Sequence, residues 1–177
     1  FRFTFPPEFW AEVSKIPQVI MSKSGSIHTF EQDLAAVQGR MRLLPIEAMY
    51  LAAVQQFPDQ VTAFWSSGAA CGPRLASRLR DAVAAARASG DWTAANALSE
   101  AVGKTLWPLI PGGNNFEEFN KYNIGLEKAR IDAGGWMKAG PCRPPYIFVP
   151  DEYMEGARIS GTGRAALDRE LSQQEPA

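Results

Sequence analysis

The chain changes character near residue 72, and this change limits what it can fold into. Up to that point, three short apolar runs alternate with helical segments: residues 18–22, 40–44 and 61–65. Such runs predict buried strands, and the helices between them predict parallel strands joined by helical crossovers. After residue 72 the pattern predicts helices only. We therefore expect an α/β fold in which three strand–helix units are followed by a helical region.

Composition excludes several classes of protein. Of the 177 residues, 46% are hydrophobic and 21% are charged, and the net charge of −1 favours neither a nucleic-acid partner nor an acidic membrane. No apolar stretch is long enough to span a membrane and no signal segment opens the sequence, so a cytoplasmic protein is expected. Two distant cysteines, Cys71 and Cys142, and one histidine, His28, predict neither a disulfide framework nor a metal site.

Prolines, glycines and capping residues indicate where the helices begin and end. Residues 29–32 (TFEQ) resemble a capping box, in which the threonine and the residue three positions later cap the helix start together. Asp91 is the expected N-cap of a later helix. The predicted helices cover residues 9–13, 29–37, 47–56, 73–89, 92–109, 116–133 and 151–171.

Functional side chains in parallel α/β folds gather at the carboxyl ends of the strands. The three predicted strand ends carry Lys23, the segment 45–47 and the segment 65–67. Lysine is rare at the end of a buried apolar strand because burying an ammonium group is costly. A desolvated lysine has a lowered pKa and can attack a carbonyl carbon as a free amine. On the pattern alone, a solvated lysine that merely ends its strand is the commoner alternative.

Three other residues are candidates for a substrate site. Trp65 offers a flat apolar wall with one N–H donor, although packing in the core is its commoner role. Ser66 offers a hydroxyl that could meet a carboxylate, but it lies in what could equally be an ordinary loop. Asn123 stands in an apolar helical stripe, where a buried amide needs hydrogen-bond partners. No glycine-rich segment matches a nucleotide-binding fingerprint.

Three segments together carry a resemblance to a known family: residues 17–23 (PQVIMSK), residues 64–68 (FWSSG), and residues 122–146, which begin YNI and end GPCRPPY. They resemble the dihydrodipicolinate synthase and N-acetylneuraminate lyase superfamily of class I aldolases. Within that superfamily they are most similar to the trans-o-hydroxybenzylidenepyruvate hydratase-aldolases, and the similarity covers nearly the whole chain. The family fold is a (β/α)8 barrel followed by a carboxyl-terminal helical extension.

The resemblance implies a role for each candidate residue. Lys23 would form a Schiff base with the carbonyl of the pyruvyl group, so that a covalent imine replaces any cofactor and no metal is needed. Trp65 would lie beside the substrate, Asn123 would face its hydroxyl or aromatic end, and Ser66 would be a lesser pocket residue. The implied partner is a small 2-oxo acid, with neither nucleic acid nor membrane, and the implied assembly is a homotetramer.

The chain departs from the family in its number of strands. A barrel of this type needs about 250 residues and eight strands, whereas the three predicted strands match the sixth, seventh and eighth. The family's proton-shuttling tyrosine, after strand five, and its carboxylate-binding loop, after strand two, have no counterpart here. We therefore expect the carboxyl-terminal part of a barrel in residues 1–90 and the helical extension in residues 91–177.

The implied reaction is that of a lyase. It hydrates and then cleaves an aromatic 2-oxo-but-3-enoate of the hydroxybenzylidenepyruvate type, giving an aromatic aldehyde and pyruvate. One alternative is another pyruvate-dependent aldolase, such as a dihydrodipicolinate synthase or a sugar-acid aldolase. A second alternative is a non-catalytic module that lacks the first half of the active site.

Overall fold

The computed structural model describes residues 4–24 and 28–173. The chain divides into two compact units, Phe1–Ser66 and Ser67–Ala177, which we call the strand unit and the helical unit. The change from mixed structure to helices falls close to residue 72, as predicted from the sequence. The predicted domain division at residue 90 follows the correspondence with a barrel and stays a prediction.

The strand unit alternates helices with strands in the order α1 (Pro7–Val13), β1 (Met21–Ser24), α2 (Phe30–Val37), β2 (Arg42–Pro45) and α3 (Glu47–Gln56). Two prolines open α1, and their fixed φ suits a first helical turn. β1 and β2 pair in parallel, with Lys23 opposite Leu44. A parallel pair needs a crossover, and α2 provides it as the sequence predicts.

The predicted third strand is wrong except at its last residue, Trp65. The described residues form a two-stranded sheet, and Trp65 adds a single parallel bridge beside β2. The amide of Trp65 donates to Pro45 O at 2.8 Å, and the amide of Glu47 donates to Trp65 O at 2.8 Å. The predicted strand makes its bridge to the sheet at its last residue because its first residue is still part of the turn that follows α3. In that turn, the amide of Val61 donates to Phe57 O at 3.0 Å. The described fold is therefore mixed α/β without a closed barrel.

β1 is exposed, whereas the sequence predicts a buried strand. Ile20, just before β1, is 63% exposed and Met21 is 53% exposed. β2 behaves as expected, because Leu43 and Pro45 are buried. Position explains the difference: β1 lies at the edge of the described sheet, whereas β2 has β1 on one side and Trp65 on the other.

Two helix starts differ from their predicted caps. The Thr29 hydroxyl donates to the Asp33 carboxylate at 2.9 Å and makes no capping bond, so the predicted capping box is wrong. The acceptor one turn further along takes the hydroxyl instead. Asp91 lies one residue before the N-cap position, Trp92, yet its carboxylate accepts a hydrogen bond from the Thr93 amide at 2.9 Å. Asp91 therefore satisfies a helix-start amide, which is the function predicted for it.

The helical unit consists of α4 (Pro73–Ser89), α5 (Thr93–Leu106), α6 (Phe116–Gly134) and α7 (Asp151–Gln173). α5 ends three residues earlier than predicted, because Pro108 has no amide hydrogen to continue it and Trp107–Leu109 forms a 3-10 turn. Leu126 of α6 is fully buried at the centre of a core that also contains Leu106, Leu109, Phe119, Val149, Tyr153 and Ala157. None of the helices in residues 4–24 and 28–173 is both long and apolar enough to cross a bilayer.

Small residues let α6 and α7 approach each other closely. A Cβ on Gly161 of α7 would overlap the carbonyl oxygen of Arg130 on α6. Any larger side chain at Gly161 would therefore push the two helices apart. The same close approach leaves Arg130 only 1% exposed.

Candidate active site

Lys23 lies one residue before the end of β1, which agrees with its predicted place at a strand end. Because side chains alternate along a strand, Lys23 shares a face with Met21, while Ser24 points the other way and is buried. The Lys23 side chain is exposed, and so is that of Met21. The structure therefore agrees with the commoner alternative, a solvated lysine near its strand end, and does not show the desolvation that would favour a free amine.

Trp65 lies beside Lys23, although the two come from different strand ends. The Lys23 Nζ is 5.3 Å from the centroid of the Trp65 ring, which is within the range of a cation–π contact. Trp65 is 48% exposed, so the core-packing alternative is wrong for this residue. The ring faces the Lys23 amine, and about half of the residue is open to solvent.

Ser66 is held by a residue to which the sequence analysis gave no role. Its hydroxyl donates to Glu47 Oε1 at 2.9 Å. Glu47 is the first residue of α3 and follows β2 almost directly, so it stands at the same end of the sheet as Lys23. The signal for Glu47 in the sequence is an acidic residue just after an apolar strand.

Asn123 lies on α6 in the helical unit, and its side chain is exposed. The neighbouring Ile124 is 42% exposed. The apolar stripe that suggested a buried amide is therefore a surface of α6, and Asn123 needs no partner within the protein. Its contact with a substrate stays a prediction.

Two side chains of α6, one turn apart, form hydrogen bonds with the segment that follows this helix. The Lys128 ammonium donates to Ala139 O at 2.7 Å and to Pro141 O at 3.0 Å. The Asp132 carboxylate accepts from the Ala139 amide at 2.7 Å. These bonds fix the start of the GPCRPPY segment, and Arg143 within it is exposed.

The helical unit also buries charges that the sequence analysis missed. Arg130, Arg164 and Asp168 are each 1% exposed or less. Arg130 donates to Glu127 Oε2 at 3.4 Å, which compensates part of its charge. Beside it, Cys71 is fully buried, and burial raises the pKa of its thiol. A protonated, buried thiol is a poor nucleophile, so Cys71 is a packing residue.

The end of the sheet brings together an amine, an aromatic face, a hydroxyl and a carboxylate. An amine can form an imine with a carbonyl substrate, which is the chemistry predicted for Lys23. Within the described ranges, no group of three or more His, Cys, Asp or Glu side chains could hold a metal ion. Two cavities lie away from these residues. One, of about 520 Å³, is lined by Pro108, Ile110, Asn115 and Tyr153, and the other, of about 360 Å³, by Glu31, Leu34, Gln38 and Phe57.

Sequence comparison finds similar proteins over nearly the whole chain. The chain is 51% identical to a trans-o-hydroxybenzylidenepyruvate hydratase-aldolase of Sphingobium xenophagum over 172 residues, covering 97% of this chain and 52% of that protein. It is also 51% identical, over 174 residues, to the protein of the same name from Pseudomonas aeruginosa, covering 98% and 52%. A trans-2'-carboxybenzalpyruvate hydratase-aldolase of Nocardioides sp. (strain KP7) is 39% identical over 163 residues, covering 89% and 47%.

Structure comparison agrees with the sequence comparison. A solved structure, PhdJ bound to substrate intermediate, matches with a TM-score of 0.89 and 40% identity, covering 96% of this chain and 52% of that chain. No family model matches the chain. The chain spans about half the length of the curated relatives it matches. Over nearly its whole length, this chain is therefore similar to hydratase-aldolases in both sequence and fold.

Proposed function

We propose that this chain provides the Schiff-base lysine, Lys23, of a hydratase-aldolase that acts on an aromatic 2-oxo-but-3-enoate. The observation that carries the proposal is the Lys23 amine beside the Trp65 ring at a strand end, in a chain 51% identical to proteins named for this reaction. Other pyruvate-dependent aldolases share the lysine chemistry, but the proteins similar to this chain are hydratase-aldolases. The products would be an aromatic aldehyde and pyruvate.

The proposed reaction begins at the substrate carbonyl. The neutral Lys23 amine attacks C2, and loss of water gives an iminium conjugated to the C3–C4 double bond. Water adds at C4, which places a hydroxyl two carbons from the iminium carbon. The C3–C4 bond then breaks, the C4 hydroxyl loses its proton to give the aldehyde, and the electron pair flows to the iminium nitrogen as an enamine. Protonation at C3 and hydrolysis release pyruvate and the free lysine, so one water is consumed overall.

Trp65 would act on the charged intermediates of this sequence. The face of an indole ring attracts a positive charge, and the iminium carries that charge on the Lys23 nitrogen. The same ring offers an apolar wall for the aromatic part of the substrate. We propose in addition that Asn123 faces the hydroxyl or aromatic end of the substrate. The covalent imine serves as the electron sink, so the proposal includes neither a metal nor another cofactor.

The strand unit would correspond to the last three strands of a (β/α)8 barrel, with the helical unit as the eighth helix and the extension. The edge position of β1 and its exposed apolar residues, Ile20 and Met21, support this placement. The proton-shuttling tyrosine and the carboxylate-binding loop are not assigned to any residue here; Tyr50, Tyr122 and Tyr146 are not candidates. By the same resemblance we propose a homotetramer.

Borohydride trapping with pyruvate tests the proposal. The natural protein that contains this sequence is purified and incubated with pyruvate and borohydride. It is then digested, and the modified peptides are identified by mass spectrometry. We expect a reduced adduct on Lys23 and none on Lys15, an exposed lysine of the same unit that pairs with Glu12. An active protein without an adduct on Lys23 would refute the assignment.

The substrate class needs a second measurement. A panel of benzylidenepyruvates, aspartate semialdehyde plus pyruvate, and sugar acids is assayed for aldehyde or pyruvate turnover. We expect turnover of the benzylidenepyruvates. Turnover of only a semialdehyde or a sugar acid would identify a different pyruvate-dependent aldolase, and an adduct on Lys23 without any turnover would favour a non-catalytic module.

A chimeric protein tests Lys23 in the context of a relative about twice as long as this chain. The matching segment of the Pseudomonas aeruginosa relative is replaced by this chain, which the 51% identity permits. We expect the chimera to turn over the relative's substrate and to lose that activity on Lys23→Ala. A folded chimera that forms no adduct on Lys23 would count against the proposal.

A further inference from the structure

We propose that Glu47 is a positioning residue that fixes the Trp65 ring beside Lys23. The inference rests on the proposed function for its catalytic meaning, but the positioning itself can be measured without any substrate. We assign Glu47 no direct part in the reaction. It acts through the backbone and the loop that carry Trp65.

Glu47 makes hydrogen bonds to two consecutive residues. Its backbone amide donates to Trp65 O at 2.8 Å, and its side-chain Oε1 accepts from the Ser66 hydroxyl at 2.9 Å. Glu47 therefore holds the Trp65 carbonyl through its backbone and the Ser66 hydroxyl through its side chain. On the other side, the Trp65 amide donates to Pro45 O at 2.8 Å. Together these bonds set the direction in which the Trp65 side chain leaves the backbone.

The orientation of the Trp65 ring depends on its backbone more than that of a buried indole would, because about half of the residue is exposed. A buried indole is fixed by surrounding side chains, but Trp65 is 48% exposed. Its contact with Lys23 is also close to its limit, because the 5.3 Å separation lies near the roughly 6 Å at which such contacts end. A small rotation of the Trp65–Ser66 peptide would therefore be enough to lose the contact.

The bond to Glu47 also restricts what Ser66 can do. A serine hydroxyl has one proton to donate, and here that proton is directed at the Glu47 carboxylate. A substrate carboxylate only accepts hydrogen bonds, so Ser66 cannot bind it while this bond is intact. The Ser66 hydroxyl is thus assigned to holding the loop, and the role of substrate ligand suggested for it from the sequence passes to other groups.

The test uses substitutions that separate the hydrogen bond from the charge. Glu47→Ala removes the acceptor, Glu47→Gln keeps an oxygen acceptor, and Ser66→Ala removes the donor. Glu31→Ala is the control, because Glu31, like Glu47, is an acidic residue in the first turn of a helix of this unit, although Glu31 is exposed and Glu47 is only partly exposed. All variants are made in the natural protein that contains this sequence, and the melting temperature of each is measured.

The first readout is the environment of the Trp65 indole N–H by NMR, with Trp65→Phe used to identify its signal. We expect Glu47→Ala and Ser66→Ala to shift this signal in the same way, Glu47→Gln to shift it little, and Glu31→Ala to leave it unchanged. An unchanged signal in both Glu47→Ala and Ser66→Ala would overturn the inference, whether or not the protein has the proposed activity. If Glu47→Ala does not fold, Ser66→Ala and Glu47→Gln decide the question.

The second readout is kinetic. We expect Glu47→Ala and Ser66→Ala each to lower kcat/KM about tenfold, as for a hydrogen bond to a charged group, and the double variant to lose no more than either alone. In a Trp65→Phe background, Glu47→Ala should have no further effect, which a merely structural role would not produce. Effects that multiply in that background, or a Glu47→Gln as impaired as Glu47→Ala, would overturn the inference. Absence of a pyruvate adduct on wild-type Lys23 would instead refute the proposed function and leave the NMR result to decide this one.

Discussion

The sheet end of the strand unit exposes a charged side chain, whereas the helical unit buries Arg130, Arg164 and Asp168. Lys23 is exposed beside a half-exposed Trp65, whereas Arg130 and Arg164 are 1% and 0% exposed. A buried charge must be compensated by its surroundings and is then committed to them. An exposed lysine beside an aromatic face keeps its amine available. Under the proposed function, the Lys23 chemistry belongs to the strand unit, and the buried charges of the helical unit are structural.

Apolar side chains at the start of β1 are exposed, whereas those in the core of the helical unit are fully buried. β1 and the residue before it leave Ile20 and Met21 more than half exposed, while in the helical unit Leu126 and Ala157 have no exposed surface. Burial of apolar surface is the main source of stability. Substitutions at the end of the sheet should therefore change reactivity more than stability, and substitutions in the helical core should do the reverse.

Lys23→Ala should have the largest effect on activity and almost none on stability. Without the amine no imine forms, so trapping with pyruvate and turnover should fall to background. Because the side chain is exposed, the free energy of unfolding should change by less than about 0.5 kcal/mol. Trapping, turnover and urea unfolding measure these quantities on one preparation.

Lys15→Ala provides the control for the Lys23 substitution, since Lys15 is an exposed lysine of the same unit in an ion pair with Glu12. It should retain both trapping and activity. A Lys23 variant that lost several kcal/mol of stability would show that the sheet end is structural and would break the comparison between the units.

Leu126→Ala should cause the largest loss of stability in the helical unit. Leu126 is fully buried at the centre of its core, and truncating such a leucine typically costs about 2–5 kcal/mol through lost burial and the cavity left behind. Ile124→Ala, two residues away on the same helix and 42% exposed, is the matched control and should cost less than about 1 kcal/mol. Urea unfolding gives both values, and equal losses would mean that α6 buries a different face.

Asp168→Ala should have an intermediate effect, because Asp168 caps a helix other than its own. Its Oδ1, on α7, accepts from the Leu75 amide in the first turn of α4 at 3.1 Å, where Gly72 at the N-cap offers no side-chain acceptor. Losing this cap should cost about 1–2 kcal/mol. Asp168→Asn keeps an oxygen acceptor and should recover part of the loss, while the exposed Asp81→Ala should be nearly neutral. An Asn variant as unstable as the Ala variant would show that the charge matters more than the bond.

The sequence predicts local features that depend on neighbouring residues. The helices α1, α3, α4, α6 and α7 follow from apolar spacing and from prolines and glycines at their ends, and Lys23 is placed at a strand end by the run before it. Asp91 satisfies a helix start through a residue two positions away. Each of these depends on contacts within a few residues, which a pattern can represent.

Features set by distant residues could not be predicted in this way. Whether β1 is buried depends on what lies beside the sheet, so its apolar run gave the wrong burial. The bond from Ser66 to Glu47 and the cap from Asp168 to Leu75 join residues far apart in sequence. The apolar stripe around Asn123 left open whether its amide is buried and needs partners, and the structure shows that it is exposed.

Asp33 of α2 tests the comparison from the other side, because it is a charge that the strand unit buries. Asp33 is 4% exposed, and its Oδ1 has no hydrogen-bond partner among the described residues. Burial raises the pKa of its carboxyl above the usual 3.8, and the hydrogen bond from the Thr29 hydroxyl lowers it by less. A raised pKa means that the folded state holds the proton more tightly than the unfolded state, so this carboxyl makes the protein less stable as the pH rises through that range. Asp33→Asn should therefore raise the free energy of unfolding at neutral pH, with the gain disappearing below the usual pKa. Asp59→Asn, at an exposed position of the same unit, is the control for the loss of one charge. Urea unfolding between pH 3 and 8 measures both variants. If Asp33→Asn were less stable than the wild type at neutral pH, the ionised Asp33 carboxylate would be stabilised by its surroundings. The strand unit would then accommodate buried charge in the same way as the helical unit.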